Sequence, residues 1–155
     1  MSLSESKYES ILLIPCSGSE YNGELARRVA IKLNENSPIS SKSSMFCSTI
    51  FIKNLLLKKE KLIEITRNNL ESNFIVAIDG CKTSCESLIL NNVGIKPDMI
   101  IHVDDFIPKE RLNFNDLNAF KDRAHLSDIK EEHISKIIQV ILDKLNKRIR
   151  EEKAN

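Results

Sequence analysis

Four cysteines are the residues of this chain best suited to chemistry. They are Cys16, Cys47, Cys81 and Cys85, and the last two are four positions apart. Residues at this spacing lie on the same side of a helix, so the pair predicts two neighbouring thiols at a helix N-terminus. Zinc favours tetrahedral thiolate ligands in closed sites. The spacing therefore indicates a zinc site, although the chain lacks the two Cys-x-x-Cys pairs of a zinc ribbon.

The same thiols also fit a thiol enzyme. Amide groups at a helix N-terminus lower the pKa of a nearby thiol and favour its reactive thiolate. In a redox or sulfur- or selenium-transfer enzyme, Cys81 or Cys16 would be the nucleophile and Cys85 the resolving thiol. A thioredoxin-type Cys-x-x-Cys pair is absent, and Asn22 stands where a phosphatase loop that starts at Cys16 would need arginine. Neither of those two enzyme classes is therefore supported.

A purely structural role is the third interpretation of the cysteines. Free cysteine is often buried and then behaves as a small hydrophobic residue. This interpretation is strongest for Cys47, which stands beside Met45 and Phe46. It is weaker for the other three cysteines, because each of them lies next to turn residues.

The elements that must position these thiols follow from the hydrophobic pattern. Apolar runs predict buried strands over residues 10–15, 74–78 and 99–103. Residues 45–52 fit either a short strand or the start of a helix, and a fourth strand would lie within residues 45–51. A helix is predicted to open at Asn22, and others over residues 53–70, 83–92 and 127–153. Residues 37–44 are expected to form a polar loop, and residues 108–124 an irregular segment with a short helix near Leu117. Strands that alternate with helices predict an α/β fold, a single three-layer domain over residues 1–155. It would have a small, mostly parallel sheet and a long C-terminal helix.

This topology places the cysteines at one edge of the sheet. Cys16 follows the first predicted strand, and Cys81 and Cys85 follow the strand over residues 74–78. Ligands of parallel α/β sheets bind beyond the carboxyl ends of the strands. Cys47 lies between the first two strand–helix units and is expected to reach the same edge. All four cysteines therefore fit one cluster.

The C-terminal helix carries a continuous apolar stripe. Packing of this stripe on its own sheet is the simpler prediction, and a homodimer through the same stripe is the alternative. The stripe consists of Ile134, Ile137, Ile138, Ile141, Leu142, Leu145 and Ile149.

Composition excludes several partners. Lys and Arg number 23 against 22 Asp and Glu, so the net charge is +1 and no nucleic-acid partner is expected. The apolar runs are far shorter than the roughly 18 residues of a membrane helix, and no secretory signal opens the chain. We expect a cytoplasmic protein without a membrane partner, in which the thiols stay reduced. No Gly-x-Gly-x-x-Gly or Walker A motif supports nucleotide binding.

Three short motifs resemble those of a known family. The segments Pro-Cys16-Ser-Gly, Met-Phe-Cys47 and Asp-Gly-Cys81-Lys-Thr-Ser-Cys85 resemble the DGC-domain family, whose members are expected to bind zinc. The resemblance covers residues 11–105 and leaves the C-terminal helix outside. It implies a zinc cofactor and no settled reaction. It assigns Cys16, Cys47, Cys81 and Cys85 as metal ligands and Asp79, Gly80, Ser17 and Gly18 as their motif partners.

The remaining polar residues near the predicted edge indicate no reaction. Asp79 is expected either to cap the following helix or to accept hydrogen bonds around the metal, while Gly80 permits a sharp turn or a close backbone approach. His102 is predicted to be a core or edge histidine. Asp104 and Asp105, adjacent at a strand end, are expected to point in opposite directions and to form no joint carboxylate site. No general acid or base and no substrate follow from the sequence.

Overall fold

The fold is built around a parallel sheet of four strands. The structure is a computed structural model that describes residues 8–16, 18, 21–107 and 129–154. Its parallel strands lie in the order β2-β1-β3-β4. The strands are β1 (Ile11–Pro15), β2 (Ser43–Met45), β3 (Phe74–Asp79) and β4 (Met99–His102).

Five helices cover the sheet within the described residues, so the predicted α/β fold with a C-terminal helix is confirmed. They are α1 (Tyr21–Asn36), α2 (Ser48–Leu56), α3 (Glu60–Ser72), α4 (Cys85–Asn92) and α5 (Glu131–Ala154).

Two hydrophobic clusters make up the core, one on each face of the sheet. Ile11 and Leu13 of β1 pack in the cluster with α1 and α5. Leu12 and Ile14, which alternate with them, pack in the cluster with residues of α2, α3 and α4. This burial on both faces explains why the strands read as continuous apolar runs rather than as alternating ones.

Three predicted boundaries are wrong. The helix expected over residues 53–70 is divided between α2 and α3, because Lys58 adopts a left-handed conformation with φ of 51°. No glycine or proline marks this break, so the pattern could not reveal it. The fourth strand lies at Ser43–Met45, partly in the expected loop, and α5 begins at Glu131 rather than at residue 127. The segment 108–124 lies outside the described residues.

The apolar stripe of α5 packs inside the chain. The buried members of the stripe contribute to the same core cluster as α1. Their burial favours the packing role, while the homodimer stays a prediction. No helix in the described part of the chain combines the length and the apolar character needed to cross a membrane. The buried members are Ile134, Ile137, Ile141 and Leu145, each at most 2% exposed.

Truncation of Ile137 tests this packing. Because Ile137 is fully buried, we expect Ile137→Ala to lower the free energy of unfolding by about 2–5 kcal/mol in chemical denaturation. The control is Ser135→Ala, which changes an exposed residue of the same helix and should alter stability by less than about 0.5 kcal/mol. Similar small effects from both variants would contradict the packing of α5 on this core.

Candidate functional site

The candidate site lies where the strand order of the sheet reverses. β1 has β2 on one side and β3 on the other, so the connections that follow β1 and β3 run in opposite directions. Ligands of open parallel sheets bind in the crevice outside such a reversal, at the carboxyl ends of the strands. Cys16 directly follows β1, and its amide donates a hydrogen bond to the Ile78 carbonyl of β3 at 2.8 Å. Cys81 follows the end of β3, so both cysteines lie at this crevice.

Two glycines, Gly80 and Gly23, allow the two loops that carry these cysteines to touch the first turn of α1. A Cβ at Gly80 would lie 2.9 Å from the amide nitrogen of Gly23, and a Cβ at Gly23 would lie 2.3 Å from the carbonyl oxygen of Gly18. Side chains do not tolerate such distances from the backbone, so glycine is required at Gly80 and Gly23. The contact joins the loop after β1 to the loop after β3.

An arginine of α1 holds the loop that follows Cys16. The Arg27 side chain donates to the Gly18 carbonyl at 3.2 Å and to the Glu24 carboxylate at 3.0 Å. Burial alone would raise the pKa of Glu24, but hydrogen bonds from Arg27 and Arg28 outweigh it and lower this pKa. The carboxylate of Glu24 therefore stays ionised and orients Arg27 toward the loop.

The four free thiols differ in exposure. Cys16 is buried, with 8% of its surface exposed, while Cys81 is half-buried and Cys47 and Cys85 are exposed. The Cys16 sulfur accepts a hydrogen bond from the Gly18 amide at 3.3 Å. The most buried of the four cysteines therefore has a backbone hydrogen-bond partner.

The Cys85 thiol experiences the negative charge of its neighbours. Its pKa is raised first by partial loss of hydration, then by the charges of Cys16 and Cys81, and then by those of Asp79 and Glu86. The residue as a whole is exposed, so the loss of hydration is incomplete. Like charges at one site disfavour ionisation, and a bound cation removes that penalty. The raised pKa of Cys85 therefore reflects partial loss of hydration first, and the nearby thiols and carboxylates second.

Cys47 is connected to this group only indirectly. It is the N-cap residue of α2, and its thiol is not among the charges that shift the pKa of Cys85. The next residue, Ser48, donates a hydrogen bond to the buried carboxylate of Glu86, which directly follows Cys85 in sequence. This bond ties the start of α2 to the first turn of α4. Cys47 therefore lies beside the contact between the two helices.

Asp79 caps the first turn of α4 from the end of β3. Its carboxylate is only 1% exposed and accepts the Glu86 amide at 3.0 Å and the Ser87 hydroxyl at 2.5 Å. This arrangement is the helix-capping role, one of the two that the sequence left open. Ser17, named by the motif resemblance, lies outside the described residues.

The two adjacent aspartates after β4 act together, contrary to expectation. They lie on a 3-10 turn (Val103–Asp105) rather than in a strand, so their side chains do not alternate. Asp104 accepts the backbone amide of Lys82 at 3.2 Å, and Asp105 pairs with the Lys82 ammonium at 3.0 Å. Both carboxylates therefore hold the loop that follows Cys81.

His102 is half-buried at the end of β4 and joins the same loop. Its Nε2 lies 2.6 Å from the Ser84 hydroxyl oxygen, and its Nδ1 lies 3.7 Å from the Asp105 carboxylate. Sequence reasoning missed Ser84, and it also missed Ser48 and Glu86. Ser84 is 18 positions from His102, and Ser48 is 38 positions from Glu86. Only the sheet order brings these pairs together.

The thiols are not arranged as a formed metal centre. Within the residues that the structure describes, no group of three or more His, Cys, Asp and Glu side chains is placed to hold a metal ion. The donor chemistry of Cys16, Cys81 and Cys85 nevertheless fits zinc, which prefers thiolates. Binding would have to draw the three sulfurs together.

Comparison with known proteins gives one match. A family model described as the DGC domain matches residues 12–141. The match runs past Asp105, where the motif resemblance ends, and reaches into α5. No curated protein and no solved structure gives a significant match.

Substitution of Gly23 tests the backbone contact. The Cβ of Gly23→Ala would collide with the Gly18 carbonyl, so we expect the free energy of unfolding to fall by about 1–3 kcal/mol or more in chemical denaturation. The control is Gly18→Ala, whose Cβ would meet the Cys16 sulfur at 3.3 Å rather than backbone. It should cost clearly less. Stability of Gly23→Ala equal to that of wild type would show that the contact is not needed.

The raised pKa of Cys85 predicts a pH dependence of stability. The unfolded chain ionises its cysteines near pH ~8.5, whereas the folded chain keeps Cys85 protonated to higher pH. The resulting stabilisation is complete below about pH 8.5 and is lost as pH rises through the folded pKa. Chemical denaturation of zinc-free protein from neutral to alkaline pH should therefore show a smaller alkaline loss in Cys85→Ser. Parallel pH profiles for both proteins would contradict the raised pKa.

Proposed function

This chain belongs to the DGC-domain family, and from that premise we propose that it binds zinc through the thiolates of Cys16, Cys81 and Cys85, with Cys47 as the fourth ligand. The observation that carries the proposal is that two thiols act on a third. Cys16 and Cys81 both raise the pKa of Cys85, after partial loss of hydration, although Cys16 is far from Cys85 in the sequence. Thiols near enough to disfavour the ionisation of Cys85 are suited to share one cation with it.

Zinc binding would replace this repulsion with attraction. A coordinated thiol is deprotonated, so the ion would hold Cys85 as a thiolate despite its raised pKa in the free protein. Cys16 already accepts the Gly18 amide, a hydrogen bond that a zinc-bound thiolate retains. The charges of Asp79 and Glu86 also act on Cys85, and this added negative charge further favours a divalent cation.

The role of Cys47 decides what kind of site forms. The Ser48–Glu86 hydrogen bond holds the start of α2 against α4. It therefore keeps Cys47 beside the helix that begins at Cys85. A zinc ion with four thiolates is closed and stabilises the fold, whereas one with three thiolates keeps a position for water or substrate and acts as a Lewis acid. We propose the closed site, in which Cys47 completes the ligand set.

The alternative function, a thiol redox or sulfur- or selenium-transfer enzyme, differs from zinc binding in thiol reactivity. The raised pKa keeps Cys85 protonated at neutral pH, which slows its reaction as a nucleophile or as a resolving thiol. If zinc is bound, all four thiols react slowly with an alkylating reagent until a chelator is added. One fast thiol in the zinc-loaded protein would favour the enzyme.

Zinc content of ligand variants is the direct test of the proposal. Wild-type protein from zinc-replete cells should carry about one zinc per chain in elemental analysis. Removal of a group that hydrogen-bonds to a metal ligand typically lowers the metal affinity roughly tenfold or more. Removal of the ligand itself should cost at least as much, so Cys85→Ser should lose zinc to a competing chelator at least about tenfold more readily. Met45→Ser is the matched control, because it removes an exposed thioether near Cys47 without removing a thiolate.

Two results would contradict the proposal. Equal zinc retention in Cys85→Ser and wild type would exclude Cys85 as a ligand, and wild type with far less than one zinc per chain would exclude the site. Cys47→Ser separates the two kinds of site, since zinc retention equal to wild type would leave Cys47 outside the ligand set.

A further inference from the structure

Beside the thiols lie a serine, a histidine and an aspartate in an order that suits acyl transfer. The Ser84 hydroxyl oxygen is 2.6 Å from Nε2 of His102, and Nδ1 of the same ring is 3.7 Å from the Asp105 carboxylate. We propose that Ser84 is a nucleophile toward carboxylic esters, that His102 is its general base, and that Asp105 orients the histidine. This site goes beyond zinc binding and uses none of the proposed metal ligands' sulfurs.

Ser84 occupies the position in the fold where such nucleophiles stand. It lies between β3 and α4, in the turn at the carboxyl edge of a parallel sheet. Its backbone is left-handed, with φ of 54° and ψ of 44°. A non-glycine residue in this region is strained, and strain of this kind collects at functional sites. The strand–turn–helix setting is that of a nucleophile elbow, although the flanking glycines of that motif are missing here.

The histidine contacts both partners through the appropriate nitrogens. Nε2 faces the serine and Nδ1 faces the carboxylate, which is the arrangement that lets a neutral imidazole accept the hydroxyl proton. The contact between Nδ1 and Asp105 is longer than a hydrogen bond, as is common in catalytic groups without substrate. The Lys82 ammonium lies 3.0 Å from the same carboxylate and holds Asp105 beside the ring.

A backbone amide is available for the negative charge that develops on the acyl oxygen. In a nucleophile elbow, the amide of the residue after the nucleophile serves this purpose. Here that residue is Cys85, the first residue of α4, whose amide has no acceptor among the described residues. The following amide, of Glu86, is already bound to Asp79. The Cys85 amide is therefore the donor that a substrate oxygen would meet.

The reaction requires neither an oxidant nor a metal. The Ser84 oxygen forms a bond to the acyl carbon while its proton moves to Nε2 of His102. The bond from the acyl carbon to the leaving alkoxide then breaks, and the alkoxide takes the proton from the histidine. Water attacks the acyl-serine by the same proton transfers, which releases the carboxylic acid and restores the hydroxyl.

A fluorophosphonate is a suitable probe, because it reacts with activated serines and not through the thiol chemistry of nearby cysteines. Fluoride leaves as the phosphorus–oxygen bond forms. We expect one phosphonyl group on the peptide that carries Ser84, detected by mass spectrometry, in protein treated with chelator and in zinc-loaded protein alike. Ser84→Ala should remove this label. His102→Gln should slow labelling by about 10²–10⁴-fold, the usual contribution of a general base.

The control is His133→Gln, which changes a histidine bound to Tyr21 outside this cluster and should leave the labelling rate at the wild-type value. Circular dichroism verifies that His102→Gln is folded, and Asp105→Asn is the second variant, with labelling clearly slowed. No label on Ser84 in wild type, or equal rates in wild type and His102→Gln, would overturn the proposal. Because labelling does not need zinc, its failure and a failure of zinc binding are separate results.

Discussion

The contact between Gly80 and Gly23 is the constraint on which the site depends. It brings the end of β3 against the first turn of α1 at a distance that excludes any side chain. Gly23 in turn touches the Gly18 carbonyl, so the loops that carry Cys16 and Cys81 meet across two backbone contacts. A Cβ at either position would separate these loops and with them the thiols. The glycines therefore support the site because they let the two loops approach each other at the point where the strand order reverses.

Negative charge is the second organising feature, and it follows from the first. Once the loops meet, the charges of Cys16 and Cys81 act on Cys85, as do those of the buried carboxylates Asp79 and Glu86. Both carboxylates also have structural roles, because Asp79 caps α4 and Glu86 binds the start of α2. Partial loss of hydration is the main reason that the pKa of the Cys85 thiol is raised, and the groups that hold the helices in place raise it further.

The sheet and the main helices are predictable from the sequence because their signals are local. Strands buried on both faces appear as continuous apolar runs, and residues such as Ile137 repeat at helical spacing. The break at Lys58 is not predictable in this way, because no glycine or proline marks it and the residues around it are ordinary helix formers. α2 and α3, on either side of Lys58, both contribute residues to the core cluster on the same face of the sheet.

The site is predictable in part, for a related reason. Strand ends and the Cys81–Cys85 spacing are local features, and they suffice to place the cysteines at one edge of the sheet. The hydrogen bonds of Ser48 to Glu86 and of Ser84 to His102 join residues 38 and 18 positions apart, and no local pattern encodes them. The opposite orientation expected for the aspartates after β4 was wrong, because a 3-10 turn replaces the expected strand end.

X-ray absorption at the zinc edge is the most direct test of zinc coordination by thiolates, because it counts the atoms bound to the metal and identifies their type. Zinc-loaded protein should show a shell of four sulfur atoms at about 2.3 Å, because Cys47 completes the proposed ligand set. A shell made only of nitrogen and oxygen at about 2.0–2.2 Å would place the metal elsewhere and would contradict a thiolate site at the crevice between β1 and β3.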